Sequence, residues 1–389
     1  MRLPAVTAGY PYLTYVDEGH VLHRVLYALR TGDWDPGWYI YPALPVYAIL
    51  GAVHLYSPVY ALVHGRPLRA DLPPAPVPRY DWIGPPEVLL VARTLGLLVS
   101  LGTVALAGWL AARLAGRAAG LLAAWLAALL PALVIRGAIV NVDVYATFFV
   151  LAALCFAERV REPVGGAAPR QGRRDAFLAG AMTGLALVSK YPHVLVALPV
   201  AAAVLLAPRA GAGEKLRRLG LAGGAAVLAA AVGMPALALR TGKVAAALRY
   251  EASLYTQSFG SYWDQAVRRA EWDLPFDHPE VGWPLLLLAA ASLGAALADW
   301  RQARAVLGWA AYAAALGWLL SRFGFHPFRN LLPLVPLLAV LPACLYQRLR
   351  RRARRATSPA ASRLLVAAAI ALPPALFAAP LAPYLRHMC

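Results

Sequence analysis

The stretch ARTLGLLVSLGTVALAGWLAA, residues 92–112, carries a single charge, Arg93, in a run otherwise built from apolar and small residues. About 20 such residues in a row form a helix long enough to cross the hydrocarbon core of a bilayer. Runs of this kind recur along the chain. Helices are predicted at roughly 92–112, 118–137, 143–158, 176–189, 192–207, 219–239, 281–298, 304–321, 331–346 and 363–383. The fourth and fifth are short and separated by SKYP, where Pro192 disfavours helix at Tyr191, so a broken or re-entrant pair is expected there. With 60% hydrophobic and 14% charged residues, the chain reads as a polytopic membrane protein. Lipid offers the backbone no hydrogen-bond partner, so the spans must be helical. The expected fold class is all-α, a polytopic transmembrane helical bundle.

The net charge of +18 sits in the links between these runs rather than on a surface suited to nucleic acid. Arg113 and Arg117, Arg159 to Arg174, Arg209 to Arg218, Arg301 and Arg304, and the run QRLRRRARR at 347–355 mark cytoplasmic loops by the positive-inside rule. Counting spans from them places the chain before Arg93, residues 138–142, the loop 240–280 and SRFGFHPFRN (321–330) on the outer face. That count holds if 41–63, with Pro42, Pro45, Pro58 and His54, is an interfacial or re-entrant segment that does not cross. The outer face then gathers Asp17, Glu18, His20, Asp143, Lys190, Glu251, Asp264, His326 and Arg329.

Several of these residues suggest chemistry. From Asp17 onward, a helical wheel puts Val21, Leu22, Val25, Leu26, Ala28 and Leu29 on one half, and His20, His23, Arg24, Tyr27 and Arg30 on the other. This is a helix lying at the membrane surface. Glu18 points into its apolar side, where an ionised carboxylate needs a partner. Asp17 as N-cap and Glu18 in the first turn would be a purely structural explanation. Asp143, at the junction of two apolar helices, could likewise be a cap, or could supply a base or a metal ligand. Lys190 and His193 lie at a helix break, where the lysine either snorkels or binds an anionic headgroup. Arg322, His326 and Arg329 precede an apolar helix, and arginine's planar fork suits phosphate. The aromatic-rich YEASLYTQSFGSYWD would suit sugar rings or a membrane interface equally. Cys155, Cys344 and Cys389 form no disulfide or zinc framework. Phosphate-cradling Gly-rich loops, HExxH and GxSxG are all missing from the sequence, so any reactive group must arrive with a lipid-borne substrate.

In order and spacing, the segments YVDEGHVLHRVLYALRTGDWDP, the apolar block ending VNVDVYATFF, GLALVSKYPHVLVALPV and FHPFRNLLPLVPLLA resemble the GT-C integral membrane glycosyltransferases. The likeness runs over roughly residues 10–345 and is nearest to the family-39-like group of protein O-mannosyltransferase and lipid A aminoarabinose transferase relatives. It implies a GT-C bundle with amphipathic juxtamembrane helices in the first outer loop. It also implies transfer of a sugar from a polyprenyl-phosphate donor to a hydroxyl acceptor (glycan, lipid or protein) at the outer face of the cytoplasmic membrane. Asp17 matches the first acid of the family's DE motif, a general base or metal-associated carboxylate. Glu18 matches the second, and Asp143 the acid after the next outward span. Arg329, with His326 and Lys190, would bind the donor phosphate. A divalent ion at Asp17 and His20 is permitted but not demanded.

The implied division is 1–91 as an outer layer bearing the acidic motif, 92–346 as the transmembrane catalytic core with outer loop 240–280, and 347–389 as a basic cytoplasmic loop and last span. Family members carry a helix before the acidic pair, and here only MRLPAVTAGYPYL precedes it, so the chain is expected to begin too late or to be shortened. The chief alternative is a transporter or flippase for a lipid-linked or small anionic substrate. A non-catalytic scaffold is a third reading, and it requires Asp17 and Asp143 to lie far apart.

Overall fold

The computed structural model describes residues 2–73, 84–162, 169–208, 210–256, 281, 283–322 and 328–355, together with 360, 363 and 367. The described residues form helices and turns with no strand. The helices are α1 (Arg2–Val6), α2 (Val16–Thr31), α3 (Leu44–His64), α4 (Glu87–Ala115), α5 (Arg117–Leu129), α6 (Pro131–Gly137), α7 (Val142–Arg161), α8 (Pro169–Leu187), α9 (Ala197–Leu205), α10 (Ala212–Gly233), α11 (Ala236–Leu239), α12 (Thr241–Thr256), α13 (Trp283–Leu297), α14 (Trp300–Leu320) and α15 (Leu337–Arg355). Among the described residues, five helices are long and apolar enough to cross a membrane, or six if one bent pair counts as a span.

Most departures from the sequence reading occur at prolines. The run expected as one helix at 118–137 is α5 and α6, bent by 58° before Pro131, which cannot supply the N–H that a continuous helix needs. The break expected at SKYP is present: α8 stops at Leu187, and a 3-10 turn, Tyr191–Val196, leads into α9. The 331–346 helix begins as a 3-10 turn, Phe328–Leu334, and becomes α-helical only at Leu337. The expected last span at 363–383 lies almost wholly outside the described residues.

Segment 41–63, expected as an interfacial or re-entrant segment, lies almost wholly within one helix. It is the unbroken helix α3, long and apolar enough to span. Contacts tie both of its ends to neighbouring segments. Leu44 N–H donates to the Val188 carbonyl (3.2 Å), close to Lys190. At the other terminus His64 lies 3.4 Å from Glu87, at the start of α4. The α2 face expected to be apolar is buried, with Leu22 and Val25 fully enclosed, and it packs with Ile49, Leu50 and Val53 of α3 and Val88 and Leu89 of α4. The main core lies deeper, among α4, α5, α7, α14 and α15.

Helices α8 and α10 touch through glycine. A Cβ on Gly180 would come within 2.0 Å of the Ala222 carbonyl oxygen, and one on Gly184 within 2.2 Å of that of Ala226. Small residues four apart let two apolar helices meet backbone to backbone, a main source of helix association in lipid. Gly180→Leu should therefore force the pair apart and cost about 1–3 kcal/mol or more, as overpacking does. A lowered melting temperature of the purified protein in detergent checks this; an unchanged one would mean the helices separate freely.

Candidate active site

The acidic pair opens α2, but neither acid caps it. Tyr15 occupies the N-cap position without a side-chain bond, and Asp17 and Glu18 lie in the first turn. Glu18 is completely buried and has the partner its position required. Arg93 of α4 donates from Nε to Oε1 and from Nη2 to Oε2, both at 2.8 Å. Glu18 also accepts from Thr14 N–H (2.9 Å) and from Val140 N–H (2.9 Å). The Arg93 fork gathers the preceding loop as well, donating to the carbonyls of Val6 (3.2 Å) and Ala8 (2.7 Å) and to the Thr14 hydroxyl (3.0 Å). Glu18 is thus a structural anchor joining α2, α4 and the turn before α7.

That turn sets Asp143. Asn141, not Asp143, caps α7, its side-chain oxygen accepting from the N–H groups of Asp143 (2.7 Å) and Val144 (3.2 Å). Asp143 is left free to use its side chain, which is fully buried and accepts from Lys190 Nζ. Lys190 does not snorkel: it is buried and donates also to Asn330 Oδ1. Oδ2 of Asp143, Nδ2 of Asn141 and Nε2 of His193 are buried without a hydrogen-bond partner among the described residues. His193 Nδ1 lies 2.9 Å from the Tyr312 hydroxyl, which fixes the ring below the break.

Asp17 reaches the same cluster by another route. Arg329 Nη1 donates to Asp17 Oδ2 and to the Tyr15 hydroxyl (2.8 Å), and Tyr41 donates to Asp17 Oδ1 at 3.1 Å. Arg329 and Asn330 are neighbours in one 3-10 turn. Through them the acids are brought together, Asp17 on Arg329 and Asp143 on the lysine that Asn330 holds. The guanidinium carbons of Arg136 and Arg329 lie 5.3 and 5.8 Å from the Tyr15 ring centroid. Tyr15 is thus held by two cation–π contacts. Only Nη1 of Arg329 is engaged among the described residues, so Nε and Nη2 remain for an anion.

Other expected residues fall differently. His20 stacks on Trp38 at 5.4 Å, and Trp38 meets Tyr41 edge-on at 5.5 Å, so His20 shapes the flank of Asp17 rather than joining it on an ion. Among the described residues no three of His, Cys, Asp and Glu come together to hold a metal, and a cation at Asp17 would face the Arg329 charge. This donor set does not fit a divalent ion. Arg322 is turned over Trp318 at 5.0 Å. His326 and Asp264 lie outside the described residues. Glu251, on α12, senses Lys190 and Tyr191; burial pushes its carboxyl up to about 7, with Lys190 opposing the rise. Its charged and neutral forms are therefore both populated near neutrality.

Sequence reasoning missed Arg93, Tyr15, Tyr41, Asn141 and Asn330. Arg93 had a signal: an arginine inside an apolar run must find a partner, and Glu18 was the acid lacking one. The two tyrosines and Asn330 had none, because such residues are common at membrane boundaries.

Residues 87–238 match the family model for dolichyl-phosphate-mannose-protein mannosyltransferase. No curated protein matches the sequence significantly. Among solved structures, ArnT of Cupriavidus metallidurans bound to undecaprenyl phosphate superposes with a TM-score of 0.64 at 15% identity, covering 91% of this chain and 59% of that one. The chain has the GT-C fold. The apo form of the same ArnT gives a TM-score of 0.59 at 16% identity over the same shares. The oligosaccharyltransferase of Archaeoglobus fulgidus gives 0.53 at 14% identity, covering 97% of this chain and 52% of that protein. The chain therefore spans a little over half the length of the solved structures it resembles. The fold agrees with the helical bundle read from the apolar runs.

Proposed function

We propose that this GT-C chain is a membrane glycosyltransferase that moves a sugar from a polyprenyl-phosphate donor to a hydroxyl acceptor at the outer face of the cytoplasmic membrane. The carrying observation is the convergence of Asp17, Arg329, Asn330, Lys190 and Asp143 from four distant parts of the chain. A carboxylate for the incoming hydroxyl thus lies beside two cations for a departing phosphate. The undecaprenyl phosphate bound in a structure of the same fold supports a lipid-borne donor.

The chemistry follows from these parts. Asp17 accepts the acceptor's hydroxyl proton as its oxygen bonds to the anomeric carbon. The bond from that carbon to the phosphate oxygen breaks, and the electron pair leaves on the polyprenyl phosphate. Arg329, through Nε and Nη2, and Lys190 neutralise the growing charge, the form of stabilisation that contributes most in water-poor sites. Asp143 and Asn330 hold Lys190 in place. No step passes through a metal.

In this reading, α2 and α3 form a layer at the outer surface over a transmembrane core of 92–346, and the basic run at 347–355 faces the cytoplasm. The test is a panel of polyprenyl-phosphate sugars offered to the protein in liposomes with soluble hydroxyl acceptors. Release of polyprenyl phosphate with formation of a glycoside is expected. Movement of intact donor across the bilayer without transfer would replace this reading with the flippase one.

A further inference from the structure

We propose that Tyr15 is a further catalytic residue, its hydroxyl donating a hydrogen bond to the phosphate as that group leaves the sugar. This rests on the transfer reading above and adds the group that tells departing phosphate from bound donor. One nitrogen, Nη1 of Arg329, donates both to the Tyr15 hydroxyl (2.8 Å) and to Asp17 Oδ2. The phenol and the base of that reading are thus neighbours around a single donor. Arginine has no acceptor, so the phenol oxygen accepts in this bond. The phenol's own hydrogen is unspent: Tyr15 donates it to no group among the described residues. A hydroxyl that accepts from a cation is also a stronger donor, because linked hydrogen bonds polarise one another. Tyr15 is half-buried, which leaves the hydroxyl open to a ligand.

The residue is held in place before any ligand arrives. Its ring lies against the Arg136 and Arg329 guanidiniums, and its backbone carbonyl accepts from Glu18 N–H at 3.1 Å. Glu18 is itself locked on Arg93. A donor fixed in this way needs little reorganisation as charge develops.

Nor is such a contact redundant beside two cations. In the donor the phosphate is a diester with one negative charge. When the bond from the anomeric carbon to its oxygen breaks, the electron pair stays on that oxygen and the phosphate gains a second charge. Arg329 and Lys190 attract both forms. A hydrogen bond strengthens with the charge on its acceptor, so the Tyr15 hydroxyl favours the departing form over the intact donor. That difference is what lowers the barrier. A phenol is a far weaker acid than a phosphate monoester, so the proton stays on Tyr15 throughout.

The test uses the full chain in detergent with two replacements at Tyr15. Tyr15→Phe keeps the ring and both cation–π contacts, and 3-fluorotyrosine donates better and accepts worse than tyrosine. Single-turnover transfer from a polyprenyl-phosphate sugar and the affinity for undecaprenyl phosphate are measured below neutrality, where the fluorophenol stays protonated. Tyr15→Phe should lower transfer by ~10²-fold, the cost of one oxyanion donor. It should weaken undecaprenyl phosphate by about ten-fold, the worth of one hydrogen bond to a charged group, and change the affinity for intact donor less. The fluorotyrosine chain should equal or exceed the parent in both measurements. A fluorotyrosine chain as impaired as the phenylalanine variant would mean that the hydroxyl only holds Arg329, and would overturn the proposal. So would a phenylalanine variant that transfers like the parent. A parent chain that binds undecaprenyl phosphate yet transfers no sugar would instead overturn the transfer reading, and this role with it.

Discussion

Asp17→Asn is expected to lower sugar transfer by ~10²- to 10⁴-fold, the usual contribution of a positioned general base, with little change in donor affinity. Asparagine keeps one oxygen for Arg329 and turns its amide N–H toward the Tyr41 hydroxyl, which can accept, so both contacts persist while the proton acceptor is lost. The fall should therefore appear in kcat, not KM, because the interaction removed matters only as the hydroxyl attacks. Single-turnover transfer from a polyprenyl-phosphate sugar, alongside donor binding and a melting curve, separates the possibilities. Turnover equal to that of the parent chain would remove Asp17 from the chemistry. A melting temperature that fell with the activity would make Asp17 an anchor like its neighbour.

Glu18→Gln should act through stability instead. It leaves Arg93, itself fully buried, without its carboxylate. Breaking one side of a buried pair costs about 3–5 kcal/mol, because the remaining charge is uncompensated. Activity should fall with the folded fraction and recover at low temperature. The double variant Glu18→Leu with Arg93→Met tests the cause. Replacing a whole buried pair with apolar groups is often close to neutral, so it should regain part of the loss. Recovery will be incomplete, since Val140 N–H and the Val6 and Ala8 carbonyls lose their partners too. A single variant as stable as the parent would show that water or lipid headgroups reach Arg93.

Most of the architecture was legible without coordinates. The apolar runs announced helices, and the proline at 192 announced the break. Boundaries were lost where a proline sat inside an apolar run, as at Pro131 and before Leu337, because composition alone does not register a missing N–H. The site was half legible. Asp17, Asp143, Lys190 and Arg329 were identifiable because ionisable groups at membrane depth are costly and need a reason. Their roles were not separable by sequence. Capping was an equal explanation for Asp143 until Asn141 proved to hold the α7 N-terminus.

Sequence by itself determined the quantities that are local: the length and period of each apolar run, and which polar groups would be expensive to bury. Only the tertiary structure decided how each expense is met. Glu18 and Asp17 are adjacent in the chain and chemically alike, yet one faces Arg93 in a closed, fully bonded pocket while the other meets Arg329 and Tyr41 at the edge of an open cluster. A turn of 100° about the α2 axis separates them. What lies in each direction is set by helices 75 and 312 residues further on, and no local pattern encodes those distances.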